Sequence, residues 1–115
     1  MKKLICLALA VLIMAMPAAA AFFRSPRAEA RLSFSGTTAY CSATARADST
    51  SDRVELYVEL WEGDSMMDAW EESGYGYADW SYRFSATRGE SYTLVVYASV
   101  NGSDFATEYE TATCR

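Results

Sequence analysis

Fifteen carboxylates and no histidine define the chemistry open to this 115-residue chain. A serine or cysteine nucleophile needs a neighbouring base to take its proton, and the only lysines are Lys2 and Lys3 at the start of the sequence. Triads and Ser-Lys dyads are therefore excluded, which leaves paired carboxylates as the remaining catalytic device. A glycosidase sets two of them across a sugar-binding cleft, and Asp64, Asp68, Glu71, Glu72 and Asp79 are the candidates. A domain of this size spends most of its residues on its core, and carboxylates between strands are ordinarily solvated, so the chain is expected not to be an enzyme. Asp48 to Asp52 alternates oxygen-bearing side chains as a calcium loop does, but Arg53 stands where such a loop needs glycine, and the run reads as a polar turn. No metal and no cofactor are expected. Cys41 and Cys114 lie far apart with no histidine to complete a zinc set. They are expected to form a disulfide, and closing that loop would contribute roughly 4–5 kcal/mol in the chain-entropy model.

The stretch least like ordinary scaffold is residues 61–80, which holds Trp61, Trp70 and Trp80 with Tyr75, Tyr77, three glycines and six acidic residues. Aromatic rings edged by carboxylates suit a sugar, whose apolar side stacks on the ring, or a protein partner. Glycines around Tyr75 and Tyr77 suit an adaptable loop. The ligand surface expected from these residues is Trp70, Tyr75 and Tyr77, with Asp68, Glu71 and Glu72 as polar contacts. The competing assignment has Trp80, Tyr82 and Phe84 filling the interior and Trp70 capping one open edge. Tyr57 and Trp61 share a strand face with Glu55 and Glu59 and could extend the surface.

The elements that must position these groups are strands. Val54, Leu56, Val58 and Leu60 alternate with Glu55, Tyr57, Glu59 and Trp61 over residues 53–62, and Tyr92, Leu94, Val96, Ala98 and Val100 share one face of residues 91–100. Ala39, Cys41, Ala43 and Ala45 form a third alternation, Trp80, Tyr82 and Phe84 a fourth, and residues 105–114 a threonine-rich fifth. Asn101-Gly102 is a strong hairpin signal, so the strands on either side should be antiparallel neighbours. Only residues 65–72 could be helical, for a turn or two. Short strands about ten residues apart fit an all-β, antiparallel sandwich, with a small β-barrel as the alternative.

Ahead of them, Lys2-Lys3, the 13 apolar residues 4–16 and Pro17-Ala18-Ala19-Ala20-Ala21 have the form of a cleaved export signal over residues 1–21. Residues 22–31 read as a short leader and 32–115 as one domain. Removing the signal leaves eight arginines against 15 acidic residues, a net charge of −7. With no arginine cluster evident, nucleic acid and membranes are not expected as partners.

The run Arg88-Gly89-Glu90-Ser91-Tyr92-Thr93-Leu94-Val95-Val96-Tyr97-Ala98 resembles the penultimate strand of fibronectin type III and other immunoglobulin-like domains. There a tyrosine after a glycine-containing turn folds its hydroxyl back on the backbone, and the resemblance gives that role to Tyr92. The chain also resembles the small secreted, single-disulfide β-sandwich proteins of Gram-positive bacteria, a likeness that implies a fold and no chemistry. The expected protein is a secreted, monomeric, immunoglobulin-like sandwich that acts without catalysis as a binding or structural module for an extracellular glycan or protein. A secreted effector or inhibitor engaging a basic protein is the second reading, and a carboxylate-dependent glycosidase the third.

Overall fold

The computed structural model describes residues 27–115; the expected export signal and residues 22–26 of the leader lie outside them. Seven strands succeed one another: β1 (Arg27–Ser35), β2 (Thr38–Arg46), β3 (Arg53–Glu62), β4 (Ser65–Tyr75), β5 (Tyr77–Ser85), β6 (Ser91–Val100) and β7 (Ser103–Thr113). They form two sheets, β1-β2-β5 and β4-β3-β6-β7, in which every pairing is antiparallel. This is an immunoglobulin-like sandwich with its fourth strand in the sheet of β3, β6 and β7.

The core follows from the period-two patterns. Val54, Leu56, Val58 and Leu60 of β3 and Leu94, Val96 and Ala98 of β6 point inward. They meet Ala39, Cys41, Ala43 and Ala45 of β2, whose small side chains leave room for Trp80 from β5. Each fully buried Val or Leu contributes about 1.5–3 kcal/mol relative to exposure.

Two local devices hold the sheets in register. Tyr92 is 2% exposed, and its hydroxyl accepts a 2.8 Å hydrogen bond from the Thr87 amide five residues upstream. This is the corner that the fibronectin-like run implies, and Phe34 and Phe84 pack their rings on it at 6.0 and 5.1 Å. Asn101 and Gly102 both take positive φ, 52° and 85°, so β6 and β7 join through the left-handed turn that suits strand twist. The Asn101 side chain reaches further: Oδ1 accepts from the Arg53 amide at 2.9 Å, and Nδ2 donates to Asp52 at 3.0 Å. The hairpin tip thus fixes the start of β3.

Three expectations are corrected. The domain begins before Leu32, because Arg27 to Arg31 pair residue by residue with Arg46 to Ser42, and Ala28 and Ala30 turn toward the core. Residues 65–72 are not helical but belong to β4, where β3 supplies a ready ladder of partners that an isolated helix of eight residues lacks. Finally, Cys41 and Cys114 are two separate buried thiols, not a disulfide. The Cys114 sulfur lies 3.6 Å from the Gly36 carbonyl in the β1–β2 turn. Cys41 instead points into the core from the middle of β2, between the buried Ala39 and Ala43, and a disulfide forms only where the two Cα atoms come within roughly 7 Å. Burial pushes the Cys41 thiol up to about 11.

Candidate functional site

The six residues expected to form one ligand surface are divided by the fold. Opposite Val58 on β3, Trp70 faces inward at the sheet edge, and its ring lies 4.8 Å from Trp80 and 4.7 Å from Tyr82 of β5. It closes the gap between the two sheets, the capping role that was the competing assignment. Asp68 and Glu72 lie two residues either side of it, at positions opposite the inward Leu60 and Leu56. Tyr75 is 66% exposed on the outer face of the four-stranded sheet, with the Arg53 guanidinium 5.9 Å from its ring. Tyr77 belongs to the other sheet and lies under Arg46 at 4.9 Å.

The glycines between them do not form an adaptable loop. Gly76 alone carries the chain from β4 to β5, with φ 75°; its amide donates to Asp52 at 2.7 Å and its carbonyl accepts from Ala47 at 3.0 Å. A Cβ at Gly76 would lie 2.8 Å from the Thr50 backbone, and one at Gly74 would collide with the Tyr77 carbonyl. Glycine is needed here for close backbone approach.

What the fold does gather is the outer face of the four-stranded sheet. Register sets Glu71, Tyr57, Tyr97 and Thr107 in one row across the four strands. The next row holds Ala69, Glu59, Val95 and Tyr109, and the row on the other side Ser73, Glu55 and Ser99. The Tyr57 and Tyr97 rings lie 5.8 Å apart at 35°. Trp61 donates from Nε1 to Glu59 at 3.0 Å, which orients both groups on this face. Arg53, Glu55, Tyr57, Glu71, Tyr97 and Asp104 are among the groups lining a shallow groove of about 430 Å³. The Tyr57 and Tyr97 hydroxyls are held above the ordinary phenol value, first by partial desolvation and then by the nearby Glu59 carboxylate. Both therefore remain neutral donors at physiological pH.

No protein-family model matches the sequence, and no curated protein does. Solved structures do resemble the fold. One is beta-glucuronidase 2 of Bacteroides uniformis, with a TM-score of 0.50 and 9% identity over 79% of this chain. Another is the sensor domain of the anti-sigma factor RsgI4 of Pseudobacteroides cellulosolvens, with a TM-score of 0.48 and 13% identity over 80% of this chain and 98% of that domain. The chain spans 13% of the glucuronidase. At 9% identity that likeness bears on the sandwich architecture alone.

The two sheets carry opposite charge. Strands β3, β4, β6 and β7 hold one arginine and nine carboxylates, a net −8. Strands β1, β2 and β5 hold four arginines and two carboxylates, a net +2. Four of the seven arginines among the described residues thus lie on one sheet, a grouping that the expectation of no arginine cluster missed. A signal was present for Arg46 and Arg83, which occupy outward positions of alternations legible in the sequence, whereas Arg27 and Arg31 fall in the run read as a leader.

Proposed function

We propose that this chain is an exported, non-catalytic binding module that holds an extracellular ligand on the outer face of its four-stranded sheet. The observation that carries the reading is the row of Tyr57 and Tyr97 rings flanked by Glu55, Glu59 and Glu71 on one open surface. Tyrosine supplies large contact area at low entropic cost, and carboxylates accept hydrogen bonds from hydroxyls or pair with cations. An open face of this kind has no walls to exclude water from a reacting bond, so the carboxylates act in recognition and not in turnover. The net charge of −8 on this sheet favours a partner with exposed cations, which supports the reading of an effector that engages a basic protein. Nonpolar and anionic partners fit this face poorly.

The test is retention of the purified protein on cell-wall preparations, neutral polysaccharides and basic secreted proteins, beside a Tyr57→Ala, Tyr97→Ala variant. Retention by one class that this variant loses, while a Tyr75→Ala, Tyr77→Ala variant keeps it, supports the reading. Loss with the Tyr75 and Tyr77 pair alone would move the site to the β4–β5 corner.

A further inference from the structure

From the outer face of the three-stranded sheet, we infer a second binding site, for saccharides that carry a carboxylate. Register places Arg31, Ser42 and Ser81 in one row across β1, β2 and β5, and Ser33, Tyr40 and Arg83 in the next. These six side chains line an open depression of about 690 Å³, within the range of small-ligand sites. Two guanidinium groups thus flank a tyrosine ring that is 43% exposed, with three serine hydroxyls between them. Among the described residues Arg83 has no carboxylate within 4 Å, and Arg31 holds only the exposed Glu29, at 3.0 Å. A solvated pair of that kind contributes about 0–1 kcal/mol and yields readily to a better anion.

Each group has a matching part in one ligand class. The planar guanidinium fork binds a carboxylate in two parallel hydrogen bonds. The Tyr40 ring offers a flat apolar platform for the carbon face of a sugar. Serine hydroxyls donate to and accept from sugar hydroxyls. Charge complementarity selects the anion, because this sheet is net +2 on a molecule that is otherwise acidic. A nucleic acid fits less well: its phosphates are closely spaced, and Glu29 and Asp79 share the row next to Arg31.

The test uses the purified protein with polygalacturonate, its methyl ester as the neutral counterpart, and a short DNA duplex. Expected is salt-sensitive binding of polygalacturonate, at least tenfold weaker for the ester and for DNA. An Arg31→Gln, Arg83→Gln variant should lose tenfold or more, and Tyr40→Ala should weaken binding of the acid polymer, both with an unchanged circular-dichroism spectrum. The Tyr57→Ala, Tyr97→Ala variant should bind polygalacturonate like the parent, so this site and the opposite face stand or fall separately. No binding of polygalacturonate, equal binding of the ester, or equal binding of DNA would overturn the inference. So would salt-sensitive self-association abolished by the arginine changes, which would assign the face to the acidic sheet of a second copy.

Discussion

The Tyr92 hydroxyl illustrates how much depends on single atoms in this domain. Its bond to the Thr87 amide satisfies a donor at the β5–β6 corner, and removing the acceptor leaves that donor unpaired. Tyr92→Phe is expected to cost about 1–3 kcal/mol in urea unfolding, with an unchanged slope. The two thiols make a second prediction. Both are buried and unbonded, so neither should react with a maleimide in the native state and both should react after unfolding without reductant; failure to label the unfolded chain would reveal a disulfide. Because burial raises the folded pKa of Cys41 to about 11 from an ordinary value of 9.0, the native state retains a proton that the unfolded chain gives up first. The stability this supplies is complete below pH 9 and is lost between pH 9 and 11. Raised Tyr57 and Tyr97 act in the same sense, so the comparison that isolates the thiol is Cys41→Ala, whose decline over this window should be shallower than the parent's.

Among the elements, β4 separates scaffold from site. Trp70 spans the sheet edge and stacks against Trp80 and Tyr82, so Trp70→Ala should destabilise the domain by about 2–4 kcal/mol. Ligand retention by the four-stranded face should survive that change wherever the variant is folded. Tyr57→Ala, on an exposed face, should shift stability by less than about 1 kcal/mol. Strands β3 and β6 were legible in the sequence because they lie at the centre of a sheet, where one buried face imposes strict alternation. Strand β4 was not, because an edge strand exposed at Met66, Met67, Glu71 and Glu72 carries no such pattern, and Met66, Met67, Ala69 and Trp70 mimic a short helical face. The alanines of β1 hid that strand for a similar reason. The expected site mixed residues whose alternate orientations point Trp70 inward and Tyr75 outward. The proposed one joins Glu71, Tyr57 and Tyr97 across three strands, and such a row exists only once the register is known. Tyr57, Trp61, Glu55 and Glu59 were legible as one surface because they share a single strand.

For the whole molecule, segregated charge is the governing property. A net −8 sheet and a net +2 sheet lie back to back, so the domain presents two chemically different surfaces through a rigid core. Charges on one face are largely screened from a ligand on the other at physiological salt, where the Debye length is about 8 Å. Binding to either proposed face is therefore expected to be independent of the other. Recognition is proposed to reside on the outer face of β3 and β6. Its most direct measurement is a backbone amide NMR titration of the protein with the partner retained in the panel above. Shift changes are expected to concentrate at residues 55–59 and 95–99, with Trp70 and the Gly74–Tyr77 corner quiet. Changes centred on Trp70, Tyr75 and Tyr77, with β3 and β6 unperturbed, would contradict it.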